Sequence, residues 1–221
     1  MGPSGCGKST LLNFIAGLLP VQSGRVTVMG QPPGRGQSVG YMFQQHGLLP
    51  WRSVVRNVEL GLEIAGVSQA ERRERARVIL SELGLGGFED HYPSDLSGGM
   101  RQRAALARTL IAEPKLILMD EPFGALDAQT KIFIQEMFIT YWEKHRTTVL
   151  FVTHDLAEAV ALSDRVVVMS ARPGHILSAY DVDIPRPRDI VHLRTLERFN
   201  ALNEAIWSDL RAEALLAMRG R

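Results

Sequence analysis

The chain has 221 residues, 45% hydrophobic and 22% charged, enough for one large α/β domain or a core with a subdomain, and this excludes disordered, collagen-like and coiled-coil classes. Lys and Arg total 25 against 24 Asp and Glu; the net charge of +1 does not make nucleic acid the default partner. One cysteine, Cys6, cannot form an internal disulfide and suits a reducing compartment, and no apolar run reaches the ~18 residues of a spanning helix.

In chain order, a glycine-rich motif at 2–10 leads into a predicted helix over 8–18, with Gly17, Pro20 and Gly24 punctuating its exit. Residues 25–29 (RVTVM) alternate and are β-branched, which predicts a strand, and 30–36 form a loop rich in Pro and Gly. A short strand is predicted at 39–43. From 46 to about 110 the character is helical, with Ser68 and Glu71 as a capping box for a helix ending at Gly84. Strands return at 115–119, 147–153 and 165–169, with helices between them. Alternating strand and helix predicts a largely parallel sheet with covered faces, interrupted by a helical insertion. The charge run 71–77 mixes Glu with Arg, so it reads as a solvated helix face rather than a nucleic-acid patch.

Gly2-Pro3-Ser4-Gly5-Cys6-Gly7-Lys8-Ser9-Thr10 fits G-x-x-x-x-G-K-[ST], the phosphate-binding loop. Its glycines let the backbone turn N–H groups onto phosphate oxygens, and the following helix N-terminus adds dipole and donors. Lys8 is expected to reach the β and γ phosphates and the Ser9 hydroxyl to ligate Mg²⁺. Cys6 stands at an unconstrained position and is read as a bystander to the chemistry.

The apolar run LILM ends in Asp120 and Glu121, and a buried parallel strand delivers its last residues to the sheet edge where ligands bind. Asp120 suits the Mg²⁺ shell and Glu121 suits acceptance of a proton from attacking water. Ser97-Gly98-Gly99, ahead of a helical run, forms a second anion-binding helix start without a lysine of its own.

LSGGMRQR, at 96–103, resembles the signature motif of ATP-binding-cassette ATPases, and further motifs follow the family order. Gln44 resembles the Q-loop glutamine that ligates Mg²⁺ and senses a membrane subunit. Asp120 and Glu121 match the Walker B pair, and Asp127 in Ala125-Leu126-Asp127 resembles the D-loop residue that touches the opposite subunit. His154 in Thr153-His154-Asp155 matches the switch histidine at the γ-phosphate. The resemblance implies a P-loop NTPase with a RecA-like, mainly parallel core at 1–45 and 107–185, a helical signature subdomain at 46–106, and a helical C-terminal extension at 186–221. It implies ATP and Mg²⁺ as cofactors, and Glu121 and His154 as catalytic residues.

The same resemblance implies a head-to-tail pair of ATP-binding subunits, each ATP lying between one copy's Lys8 loop and the other's Ser97-Gly98-Gly99. The pair would sit on permease subunits at the cytoplasmic face of the cell membrane, serving a solute-binding protein indirectly and no nucleic acid. The segments FQQHGLLPWRSVVRNVELGLE, MSARPGHI and DIPRPRD resemble importers of the nitrate, sulfonate and taurine type. Leu48, Leu49 and Trp51 are expected to form an apolar dock for a permease helix. A single signature motif and no long insertion between Gln44 and Ser97 disfavour soluble cassettes of translation or repair, and LSGGM has no role in a small-molecule kinase. Phosphate loops of this kind follow a buried strand, yet this one begins at residue 2. The N-terminal strands and an adenine-stacking aromatic are therefore expected to be missing from the chain as given, with poor solubility and weak ATP binding as the consequence.

Overall fold

The computed structural model describes residues 1–34 and 36–219. It forms two compact units: one comprises Met1–Gly34, Phe138–Lys144 and Val152–Arg221, the other Arg35–Met137 and His145–Phe151.

The second unit is built on a three-stranded sheet in the order β1 (Val39–Met42), β2 (Leu116–Asp120), β3 (Thr148–Val152). β1 and β2 run parallel, with Val39 opposite Leu116 and Met42 opposite Met119. Ile117, Leu118 and Met119 are all buried, as a strand covered on both faces requires. Gly40 is fixed by close packing: a Cβ there would lie 2.9 Å from Pro114 and 3.1 Å from Thr109.

The helical stretch resolves into α2 (Val54–Val58), α3 (Leu60–Ile64), α4 (Gln69–Glu82) and α5 (Gly98–Leu110). α4 opens as the sequence predicts at Ser68, whose hydroxyl accepts from Glu71 N–H at 3.3 Å. The Glu71 carboxylate lies 3.8 Å from Arg75, one turn on. Arg72 and Arg73 approach the buried Glu59 at 3.7 and 3.8 Å, so positive charge of the 71–77 run is engaged within the fold.

In the first unit, α1 (Lys8–Ile15) is shorter than the sequence suggests. Gly17 at φ 70 turns the chain left-handed, and Leu18 N–H reaches back to Asn13 O at 2.9 Å, a Schellman-type stop. The strand predicted at 25–29 is a correction: only the single bridge Val28–Gln31 forms. Alternation prepares a strand, but a ladder also needs a neighbour along its length, and 25–29 has none among the described residues. A strand that the sequence reading did not anticipate, β5 (Ile176–Asp181), instead pairs antiparallel with β4 (Arg165–Met169).

Val166 and Val168 of β4 are buried, and this strand packs with α7 (Leu156–Leu162) and the long α9 (Glu197–Arg219). Between β5 and α9, α8 (Ile190–Leu193) starts on Asp189, whose carboxylate accepts from Val191 and His192 N–H. The DIPRPRD segment caps α7. Buried Arg188 donates to the carbonyls of Val182, Ile184, Val160, Ala161 and Ser163, at 2.6 to 3.4 Å. Burial pulls its guanidinium down to about 10, with neighbouring Arg186 the second cause, and it remains a cation at neutral pH. Arg186 lies 4.2 Å over the Trp142 ring and donates to Leu162 O at 2.9 Å. Among the described residues, no helix is long and apolar enough to cross a membrane.

Candidate nucleotide site

Residues 2–10 form a loop entering α1. Gly2, Gly5 and Gly7 have φ of 154, 76 and 101, and Gly7 is the N-cap of the helix. The last two values lie where only glycine is unstrained. Nothing stands within 4 Å of a Cβ built on Gly7, so its backbone angle, not crowding, demands glycine. The first turn of α1 leaves its backbone N–H groups without helical acceptors, beside the exposed Ser9 and Thr10. Lys8 Nζ donates to Gly2 O and Pro3 O, both at 2.8 Å, which lays its ammonium across the loop. Cys6 is buried, with its sulfur 3.7 Å from Lys8 Nζ. The loop leaves the edge of β4: Met169 N–H donates to Met1 O at 2.8 Å.

His154 lies in the same unit, between two anchored neighbours. Thr153 Oγ1 accepts from Asp155 N–H at 3.0 Å and donates to the buried Glu158 carboxylate. Asp155 caps α7 by accepting from Glu158 N–H at 3.0 Å. These bonds present the exposed His154 where the chain passes into the helix.

The remaining candidates lie in the second unit. Asp120 ends β2, beside Tyr41 of β1, whose phenol is pushed up to about 12 by burial and then by the Asp120 charge. Glu121 follows with φ 46, a left-handed conformation uncommon for this residue type. Its peptide oxygen accepts from Gly124 N–H at 3.2 Å, and Phe123 of the same turn is buried. Gln44 Nε2 donates to Glu121 Oε2 at 3.1 Å, so the structure brings these two predicted residues together. Asp127 accepts from Gln129 and Thr130 N–H at 3.2 and 3.0 Å, at the start of α6 (Ala128–His145), and the Thr130 bonds hold its carboxyl below the usual range.

Ser97 is the N-cap of α5 and accepts from Met100 N–H at 3.3 Å. Its two glycines differ. A Cβ on Gly99 would meet Thr130 Cγ2 at 2.5 Å, so packing excludes it, whereas a Cβ on Gly98 would meet nothing within 4 Å.

Helix α5 also supplies tethers that motif reading missed. The buried Gln102 donates from its amide to Pro122 O, in the Glu121 turn. Arg108 donates to Gly47 O at 2.7 Å and His46 O at 2.9 Å, in the segment after Gln44. Gln102 stands inside the quoted signature motif, which is a signal of sorts; Arg108 carries none. The apolar dock is corrected in part: Leu48 is buried, whereas Trp51 is 72% exposed. Asn57 carries the turn that presents Trp51, bonding Leu49 N–H and O and Arg52 O at 2.7 to 3.0 Å.

A glycine loop feeding a helix through a lysine, with carboxylates at the end of a buried parallel strand, defines a P-loop NTPase. The ABC transporter family matches residues 1–124 of the chain. An ABC transporter ATP-binding protein of Methanocaldococcus jannaschii is 49% identical over 220 residues, covering 99% of this chain and 81% of that protein. A taurine import ATP-binding protein of Rhizobium johnstonii is 49% identical over 187 residues, covering 84% of this chain and 71% of that protein. Among solved structures, a dimeric ATP-binding cassette with ADP and phosphate in a post-hydrolysis state superposes with TM-score 0.73 at 34% identity, covering 84% of each chain. The chain belongs to the ABC transporter ATP-binding family, and it is the ATPase subunit of such a transporter.

Proposed function

We propose that this subunit powers uptake of small sulfonate-like anions, taurine among them, from the cytoplasmic face of the membrane. The observation that carries this reading is the 49% identity over 187 residues to a taurine import ATP-binding protein. Residues 1–45 and 107–185 serve as the nucleotide core and 46–106 as the signature subdomain. Two copies pair head to tail on permease subunits that receive solute from a binding protein.

Within each site, the backbone N–H groups of residues 2–10 and the Lys8 ammonium bind the ATP phosphates, and Gly98 and Ser97 of the partner subunit close over them. The open space at Gly98 supports this, since a glycine with room around it admits a ligand at its backbone. The family resemblance gives Mg²⁺ to Ser9, Gln44 and Asp120, each of which carries a hard oxygen donor of the kind that ion takes. When bound, the ion would supply positive charge that offsets the negative charge of the phosphates. Glu121 accepts the proton of the attacking water, and its bond to Gln44 Nε2 holds the accepting carboxylate in place. His154 donates a hydrogen bond toward the γ-phosphate, and Asp127 contacts the opposite copy. Trp51 meets a permease helix.

Reconstitution with its permease in vesicles tests the reading. Taurine uptake that requires ATP and is lost with Glu121→Gln is the expected result. Uptake of nitrate in place of taurine would reassign the solute. ATP turnover indifferent to permease and solute alike would overturn the transport reading.

A further inference from the structure

The turn between β4 and β5, residues 170–175, lies in the MSARPGHI segment, which the nucleotide chemistry leaves without a task. It is built against the phosphate loop. Arg172 Nε–H donates to Gly5 O at 2.8 Å. Gly174 follows so closely that a Cβ there would lie 2.1 Å from Cys6 O. One turn therefore touches two successive peptides of the loop, 5–6 through a side chain and 6–7 through direct contact.

The carbonyl and N–H of a trans peptide point in opposite directions, so fixing one fixes the other. Cys6 N–H is directed across the loop to Pro3 O at 3.4 Å, long for such a bond. The orientation of that peptide consequently rests on its other end, the carbonyl that Arg172 holds. The turn is itself braced. Ser170 N–H donates to His175 O at 2.9 Å, and Ser170 Oγ accepts from His175 N–H at 3.0 Å. Glu213 of α9 accepts from Ala171 N–H at 2.8 Å. Asp209, one helical turn earlier, accepts from Ser178 and from Tyr180, the latter at 2.6 Å, and so pins β5 to the same helix.

We propose that Arg172 is a positioning residue for nucleotide binding, holding the loop peptides at Gly5 and Cys6 in the orientation that receives phosphate, with α9 as its brace. The proposal rests on residues 2–10 being the phosphate site, so its test carries a control for that reading.

The full chain is titrated with a fluorescent ATP analogue, and turnover is followed against ATP concentration. Arg172→Ala should weaken nucleotide binding about tenfold, about 1.4 kcal/mol. KM should rise in parallel, with kcat at saturation within about twofold of the parent. Arg172→Gln places an amide donor at the same distance along the side chain as Arg Nε, without the charge, and should recover most of the loss. Unchanged affinity in Arg172→Ala, beside lost affinity in Lys8→Ala, would overturn the proposal and leave the loop reading standing. Glutamine no better than alanine would overturn it too, because the guanidinium would then act by charge alone. Normal binding by Lys8→Ala would bring down the loop reading itself.

Discussion

The glycine loop at 2–10 and the turns that follow Gln44 and Asp120 all hold polar groups on irregular backbone, and they are held in different ways. Residues 2–10 are shaped mainly by backbone angles: Gly5 and Gly7 take φ of 76 and 101, Lys8 closes the loop on its own carbonyls, and Arg172 alone braces a peptide from outside. The turns at 44–47 and 121–124 are instead held by long side chains from α5, Arg108 to the first and Gln102 to the second. The difference teaches where each fails. The loop is broken by adding an atom at Gly7 as well as by removing its single outside brace at Arg172, whereas the two turns are broken by removing the α5 side chains.

The largest expected effect lies in the tethered half. Glu121→Gln keeps the shape and loses the proton acceptor, so turnover should fall by ~10²–10⁴ while ATP binding persists. The loss of one negative charge should also favour an ATP-trapped pair, visible by size exclusion with ATP. Hydrolysis near the parental rate would remove Glu121 from its assigned role.

Next comes the contrast between the halves. Gly7→Ala should lower nucleotide affinity by roughly tenfold with little change in melting temperature, since a left-handed alanine is strained by ~1–2 kcal/mol and the free loop relieves that strain by leaving the shape that receives the ligand. Arg108→Ala should do the reverse, lowering stability by ~1–2 kcal/mol through lost hydrogen bonds. Calorimetry and nucleotide titration on both variants would settle it, and identical profiles would erase the distinction.

Within the signature segment the same contrast recurs on a smaller scale. Gly99→Ala should cost ~1 kcal/mol or more through its clash with Thr130, measured by denaturant unfolding. Gly98→Ala should leave stability equal or slightly raised yet reduce turnover. Equal destabilisation by both would mean that Gly98 is a packing residue.

The smallest effect concerns pH. Burial, followed by Arg101 and Arg108, lowers the His46 pKa below its ordinary 6.5. A base whose folded pKa is depressed takes up its proton more readily when unfolded, so its contribution to stability is full above 6.5 and declines as pH falls through 6.5 toward the folded value. His46→Asn should flatten that part of the stability–pH curve. An unchanged slope would show that the imidazole does not titrate against the fold.

These contrasts follow what the sequence could disclose. The shape of the 2–10 loop was legible because glycine spacing dictates backbone angles, and β2 because an apolar run ending in Asp120 and Glu121 is nearly sufficient for a buried strand. The Ser97 and Ser68 caps were legible for the same local reason. Tethers were not: Arg108 and Gly47 are 61 residues apart, and nothing near either announces the other. The strand expected at 25–29 shows the opposite error, since alternation is local while pairing is not. A Pro-centred apolar cluster does not reveal which side chain the turn sends inward, so Leu48, expected in the dock with Leu49 and Trp51, is instead buried.

Because α5 grips the segment after Gln44 with Arg108 and the Glu121 turn with Gln102, the two turns share one support. Amide deuteration should therefore treat 45–47 and 123–124 as one cooperative opening unit rather than two independently fraying loops. Their protection would rise and fall together across denaturant concentrations. Cutting the Arg108 anchor would split that unit, leaving 45–47 to exchange early while 123–124 keeps the rhythm of the helix.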